Sequence, residues 1–534
     1  MARIDRTRFQ HRELSSTLSI EDLLADLSRS SIKIWVRGGR LCYSAPPEVM
    51  TPEILALLGN RKNDIISFLT AHKLNPPQLH PVERDTEIPA AISQETFWQL
   101  EQVAPGTSGS KIVSGLHLTG FLQEELLKEV YTEIVRRHES LRTHFQTVNG
   151  RLIQRINPEM RADYSVSDLS QYNTMARKHS AADDLLSSFL APFDLSRDVL
   201  LRVRLIKLAE DQHVLLQVAH HIASDAWSTR LIDHEFAVLY EAFSKNKPSP
   251  LPEIHLHFAD FAVWQDKQLQ AGAFEPQIRY WRHKLDSGHM PRLDLPVDGL
   301  DPRKLSFRTA RYSMQLSKPL SNEVRNFSHN EDCTLSVTLI AALKMVLTAM
   351  TGQVDVRIGT IVATRSGEAF DSIVGLFINT VILRTHLSGN PTIQEVVHRV
   401  KESVFEAYQH RDVPFECLVR DFERDPSFKR ASLIQVMFLF DPAIPAPTKI
   451  GEVTRQPLSF KLLDDPNLTI TTFDLVITMR DDPEGIVVCV VYKTQLFRES
   501  TIAQMVHEIT STIEAMTTNP QRRIRQQLDS STED

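Results

Sequence analysis

The sequence predicts a mixed α/β protein, with a small α-β-β-α module followed by a large domain of two lobes. Three observations carry this. The chain has 534 residues, enough for two or more substantial cores. Apolar residues recur with period two in some stretches and at i, i+3, i+4, i+7 in others, the marks of strands and helices. After the large domain's first run of strands and helices, a second run repeats the alternation.

Bulk composition narrows the function classes. Lys plus Arg is 60 and Asp plus Glu is 67, a formal charge of −7, which gives no general reason to expect nucleic-acid binding. Cys42, Cys333, Cys417 and Cys489 are scattered and form no CxxC, which fits a reducing cytoplasm. The first residues are charged and lack an apolar signal core. No uninterrupted apolar run reaches the roughly 18 residues of a membrane span.

Residues 1–17 are polar and expected to be disordered. A small domain is expected over 18–72. Ser19 and Asp22 read as a helix cap, and Ile20, Leu23, Leu24 and Leu27 as an amphipathic face. Ile32, Ile34 and Val36 alternate with polar or aromatic neighbours, Gly38-Gly39 turns, and Arg40–Tyr43 returns, a hairpin. Thr51-Pro52-Glu53 starts a helix that continues through Leu69, with a possible break near Gly59-Asn60. This unit resembles the TubC-like N-terminal docking domains of peptide synthetases, above all in Ile34–Leu41 and Thr51-Pro52-Glu53. The resemblance implies that the hairpin captures a short, usually acidic tail of the upstream synthetase through strand addition and charge pairing. Lys33, Arg37 and Arg40 are the candidate cations; ordinary solubilising edge charges are the other reading.

A proline-bearing linker is expected over 73–90, then a first lobe over 91–265, a second over 266–520 and a solvated tail over 521–534. Within the first lobe, Val214–Ala219 reads as a buried strand, and Ile232, Phe236 and Leu239 follow at helical spacing. Between them lies His220-His221-Ile222-Ala223-Ser224-Asp225-Ala226-Trp227-Ser228. Adjacent strand residues point to opposite faces, so one imidazole can face a cleft while the other packs. A His pair alone is a weak sign of chemistry. Adjacent histidines lack the i, i+4 spacing of helical metal sites, and His255 and His257 have no accompanying Cys or carboxylate cluster, so no metal is expected.

The nine-residue stretch resembles the HHxxxDG signature of nonribosomal-peptide condensation domains and related acyltransferases. In family order follow or precede it Ile92–Leu100, Arg136–Thr143 (close to RHExLRT), Phe258–Gln265, Tyr280–Leu285, Val356–Arg365, Val374–Thr380 (GxFxNT), Arg411–Glu416 (QDVPFE) and Ile434–Phe438 (FQVMF). The resemblance implies two chloramphenicol-acetyltransferase-like lobes in a V-shaped pseudo-dimer. It implies a catalytic motif in which His221 is the reactive imidazole, Asp225 the loop organiser and His220 the packed neighbour. It makes Arg365 the expected partner of Asp225. Arg137 and Arg142 are expected to brace the lobe by ion pairing. Asn379 either lines a substrate tunnel or is a structural amide, and the backbone at Ala226 and Trp227 is the oxyanion candidate. Ala226 stands where the family has glycine, which matters if that position needs a positive φ. The Asp412–Glu416 segment and Ser224-Asp225 lean toward the subtype taking an L-configured donor residue.

The implied reaction is aminolysis of a thioester. Donor and acceptor arrive on 4'-phosphopantetheine arms of carrier proteins, and no cofactor is held covalently by this chain. The other readings left open are a catalytically silent docking or scaffold module and an acyltransferase acting on a soluble amine or alcohol.

Overall fold

The computed structural model describes residues 33–37, 40–44, 52–71, 79–103, 105, 108–171, 189–285, 292–298, 308–365, 367–423, 433–441, 446–458 and 473–524. The expected disordered start and the helix expected at 20–27 lie outside these residues, as does the cap residue Thr51. Two compact units are present, Met1–His80 with Arg365–Ile373, and Pro81–Thr364 with Val374–Asp534.

In the first unit, β1 (Lys33–Arg37) pairs antiparallel with β2 (Arg40–Ser44), with Arg37 opposite Arg40 and Lys33 opposite Ser44. The following helical stretch is two helices, α1 (Pro52–Asn60) and α2 (Lys62–Ala71), interrupted at Arg61. Ile54, Leu58 and Ile65 are buried. In the 365–373 segment of this unit, Arg365 donates through Nη1 to the carbonyls of Phe370 (2.8 Å) and Ile373 (2.7 Å), closing its own loop.

The second unit opens with β3 (Ile88–Pro89) and α3 (Ile92–Val103). Next come β4 (Lys111–Thr119), α4 (Glu124–Arg137), β5 (Thr143–Val148), β6 (Arg151–Ile156), β7 (Asp163–Asp168), β8 (Leu201–Ala209) and β9 (Gln212–His220). Helices α5 (Ala226–Phe243), α6 (Phe258–Gln270) and α7 (Glu275–Lys284) lead to β10 (Thr309–Gln315), α8 (Lys318–Asn330) and α9 (Leu335–Thr351). Then follow β11 (Asp355–Ala363), β12 (Ile378–His386), α10 (Ile393–Gln409), α11 (Phe415–Phe422) and β13 (Val436–Asp441). The chain closes with β14 (Thr448–Ile450), β15 (Val453–Pro457), β16 (Leu475–Asp482), β17 (Gly485–Lys493) and α12 (Glu499–Thr518).

Two six-stranded sheets form, ordered β14-β15-β4-β9-β8-β7 and β10-β17-β16-β13-β11-β12, with a three-stranded β3-β6-β5 sheet beside them. Each half has its own apolar core. The most apolar helix, α9, is buried nearly all round, as its unbroken apolar composition requires. It ends on Gly352, whose φ of +68° is the left-handed C-cap that glycine adopts without penalty. Among the described residues no single helix is long and apolar enough to cross a membrane.

Three expected boundaries move. A lobe division at 265/266 is crossed by β14 and β15, which leave the second half and pair with β4 of the first sheet. The linker ends earlier than residue 90. Asp260, buried at the start of α6, accepts from the Val82 N–H (2.8 Å) and from both terminal nitrogens of Arg84 (2.8 and 3.1 Å), so 81–89 belong to the large domain. The tail starts later than 521, since Ile524 is buried and its N–H bonds the Pro391 carbonyl.

Gly375 lies at a close contact between the two halves. A Cβ there would lie 2.2 Å from Cδ2 of Phe258, whose ring also packs edge-on against Phe377 at 4.8 Å. The ring is locked in the core, so no small shift makes room. Gly375→Ala is expected to lower stability by about 1–3 kcal/mol, read as the urea or thermal midpoint; an unchanged midpoint would contradict this close packing.

Candidate active site

The site is built where β9 ends. His220 is the last strand residue, and residues 221–223 form one short 3-10 turn before α5 begins at Ala226. The two imidazoles stand on either side of the change from strand to turn. His220 is fully buried. Its Nδ1 accepts from the Ile222 N–H (3.0 Å), which places the ring proton on Nε2, facing Glu101 Oε1 at 3.3 Å. Phe193 packs edge-on against the same ring. Burial lowers the His220 pKa, with Glu101 opposing the shift.

His221 is half-buried, and its ring stacks on Phe97 of α3 with centroids 4.8 Å apart. Its Nδ1 is buried and meets no hydrogen-bond partner among the described residues. Burial lowers its pKa below the usual imidazole range, with the Asp225 charge opposing. Burial thus favours the uncharged ring, the form that can accept a proton.

Asp225 caps α5 and ties the halves of the unit together. Its Oδ1 accepts from the Ser228 N–H (2.8 Å) and lies 2.7 Å from the Ser228 hydroxyl, while Oδ2 accepts from the Phe377 N–H (3.0 Å). The Ser228 oxygen in turn accepts from the Gly375 N–H (3.0 Å). The Val374–Asn379 stretch of the second half is thus bonded to the loop that carries His221. Ser140, in the turn after α4, adds a hydrogen bond to the Val374 carbonyl.

Ala226 is the first residue of α5, and it is absent from the residues with positive φ. Alanine at the family's glycine position therefore carries no left-handed strain. Ala226 and Trp227 are both exposed at the helix start, and the Arg230 guanidinium lies 5.7 Å from the Trp227 ring centre.

One expectation is corrected, at Arg142, and of the two readings of Asn379 the hydrogen bonds fit the structural amide. Arg142 makes no ion pair among the described residues; its Nη1 and Nη2 donate to the backbone carbonyls of Asn157 and Arg136. Arg137 does form the buried ion pair, with Glu235 of α5 at 3.0 Å, and His138 shares that carboxylate, which is held down to about 2 against its burial by these two neighbours. Asn379 has no hydrogen-bonding capacity left for a tunnel ligand. Its amide nitrogen donates to the Arg411 and Val413 carbonyls (2.7 Å each), and its oxygen accepts from the Phe415 and Thr380 N–H groups. It is the amide that fixes the Asp412–Phe415 turn.

Gln94, Phe97 and Glu101 were missed as site residues. Gln94 is buried and donates to the Ile222 carbonyl at 3.1 Å, Phe97 stacks on His221 and Glu101 holds His220. Their i, i+3, i+7 spacing puts them on one face of α3, so polar residues on the face turned inward were the available signal. The docking candidates Lys33, Arg37 and Arg40 are placed only by strand register. No group of three or more His, Cys, Asp or Glu among the described residues could hold a metal ion.

Comparison with known proteins matches residues 84–534 to the condensation domain and residues 20–70 to the TubC N-terminal docking domain. One of the linear gramicidin synthase proteins of Brevibacillus parabrevis is 34% identical over 463 residues, 86% of this chain and 9% of that protein. Malpinin synthetase of Mortierella alpina is 32% identical over 444 residues, 83% of this chain and 6% of that protein. The chain thus spans under a tenth of the length of these two relatives. Among solved structures, the X-domain from teicoplanin biosynthesis aligns with a TM-score of 0.72 at 26% identity, covering 84% of this chain and 99% of that one. The first condensation domain of the calcium-dependent antibiotic synthetase has the same fold, with a TM-score of 0.68 at 19% identity over 83% of this chain and 98% of that one.

Proposed function

We propose, for a chain that belongs to the condensation-domain family and carries a TubC N-terminal docking domain, that it joins a donor acyl or peptidyl thioester to the amine of an aminoacyl thioester. The amine attacks the thioester carbonyl, the C–N bond forms, the C–S bond breaks and the thiol leaves with a proton. Both substrates arrive on 4'-phosphopantetheine arms of partner carrier proteins. Holding them together makes the attack effectively intramolecular, which can contribute about 7–11 kcal/mol.

The observation that carries this reading is the state of His221. Its ring is shifted toward the neutral form by burial, stacked on Phe97 and set on a turn that Asp225 ties to both halves. Such a ring takes the proton of the attacking amine or holds that amine by a hydrogen bond. His221→Ala is expected to lower product formation from loaded carriers by about 10²–10⁴-fold. Wild-type yield from that variant would remove the role. The Asp412–Glu416 turn supports an L-configured donor residue, and the same assay run with the D-configured donor should give less product.

Arg365 is the proposed ionic partner of Asp225. The support is that Asp225 is buried, and a buried carboxylate is costly without a basic neighbour. Asp225→Ala and Arg365→Ala are each expected to lower unfolding stability by about 2–4 kcal/mol. A double variant no worse than either single one is the expected cycle; additive losses would break the pairing.

The hairpin of the first unit is the proposed receptor for an acidic tail of an upstream synthetase. Strand register supports it by placing Arg37 opposite Arg40 in the β1–β2 pair. Replacing Lys33, Arg37 and Arg40 by Glu should weaken tail binding at least tenfold at low salt, measured by calorimetry. Affinity unchanged by the triple variant would leave those cations as solubilising charges. Free thiols at Cys333, Cys417 and Cys489 support a cytoplasmic setting.

The scaffold reading has one observation in its favour. The X-domain, 26% identical, was solved in complex with OxyB. No product from the wild-type chain with any loaded donor would decide for it.

A further inference from the structure

Helix α3 backs the site, and apolar burial holds it only loosely. Of its twelve residues, Ile92, Gln94 and Glu101 are buried, and two of these three are polar. Phe97 and Trp98 are half-buried against the apolar cluster that contains Ile222 and Ala223. The helix is fastened to the turn of the histidines by Gln94 on the Ile222 carbonyl, Glu101 on His220 and Phe97 on His221. These contacts lie within the first half. They make α3 and the turn one body and leave open where that body lies against the second half.

A contact from the second half reaches the same helix. Arg420 of α11 places Nη2 2.7 Å from Oε2 of Glu95, the residue after Gln94. Helix α11 is firmly seated. Its Leu418, Val419 and Phe422 are buried in the core of the second half. Asp421 accepts from Nε and Nη2 of Arg282 of α7 (2.8 and 2.6 Å), and the Phe415 N–H donates to Asn379. The Arg420 guanidinium thus projects from a fixed element onto a loosely held one. The turn meets the second half again four residues past the imidazole, where Asp225 accepts from the Phe377 N–H. His221 is therefore tied to the second half twice, through its own chain at Asp225 and through its stacking partner's helix at Glu95.

We propose that Arg420 is a positioning residue for His221: by pairing with Glu95 it sets where α3 lies against the second half, and with α3 the turn that carries the imidazole. The proposal rests on the condensation reading and deepens it by assigning a residue of the second half to the placement of the reactive ring. The exposure of the pair favours this role over a purely structural one. Arg420 is 56% exposed and Glu95 31%, and ion pairs open to solvent contribute little to folding. Placement is more sensitive than stability, since a shift of about 1 Å can cost about a hundredfold in rate. Because Gln94 and Glu101 bind α3 to the turn, a movement of the helix carries the imidazole with it.

The test uses the full chain with loaded donor and acceptor carriers and three variants: Arg420→Glu, Glu95→Arg, and both together, which restores the pair with its charges exchanged. Each single variant is expected to lower kcat about tenfold, with KM for the carriers and the thermal midpoint close to wild type. The double variant is expected to recover kcat to within about threefold of wild type. Glu416 lies one turn before Arg420 on α11 and acts on its charge, so recovery through residue 95 separates the pair across the halves from an effect within α11. Unchanged kcat in both single variants overturns the proposal while leaving condensation intact. So does a loss that the double variant fails to recover, and so does a rise in KM at constant kcat, which marks Arg420 as a contact for a carrier protein. If charge reversal lowers the thermal midpoint, Arg420→Gln removes the charge without repulsion, and a wild-type kcat from that variant overturns the proposal as well. Absence of product from the wild-type chain overturns the condensation reading and this inference with it.

Discussion

One carboxylate sets the geometry of the site. Asp225 closes the start of α5 through Ser228 and reaches the Phe377 N–H of the second half with its other oxygen. Hydrogen bonds to a charged acceptor are stronger than neutral ones, and their loss in a buried setting leaves donors unpaired. The imidazole four residues earlier is held by this arrangement at a distance. Its own ring makes a stacking contact with Phe97, and that contact fixes a plane more than it fixes a position.

The two histidines show how one turn gives two chemistries. Both are shifted toward the neutral form by burial. His220 commits both nitrogens, to Ile222 and Glu101, and its tautomer is fixed. His221 sits one residue further, past the end of β9, where the change from strand to turn releases it from the ladder. The polar face of α3 makes this arrangement stable, because Gln94 and Glu101 satisfy the groups that the turn would otherwise strand inside.

Much of the fold was legible because period and burial agree. Ile502, Met505, Val506, Ile509 and Ile513 read as one helix face, and all are buried in α12. The strand ending in the His pair and the helix at Ile232, Phe236 and Leu239 were equally plain. The strands β14 and β15 were not. They are short, mostly polar, and their partner β4 lies more than 300 residues earlier, beyond the reach of any local pattern. Arg142 and Asn379 were legible as polar residues of the scaffold, but what they bond is main chain brought close by the fold. Side-chain identity says which groups must be satisfied and leaves open by whom. The start of the large domain was misplaced for the same reason, since Val82 and Arg84 gain their partner only when Asp260 arrives from α6.

The excursion of β14 and β15 into the first sheet bears on how such proteins can be recombined. A hybrid spliced near residue 265 would import a foreign Thr448–Pro457 ribbon against a native β4, along the Leu116–Thr119 register. Parents that differ at those facing positions would yield a seam mismatched on the flank of the sheet that carries the histidines. Compatible exchange partners are thus chosen by the complementarity of that ribbon and its receiving strand, before any question of substrate preference arises.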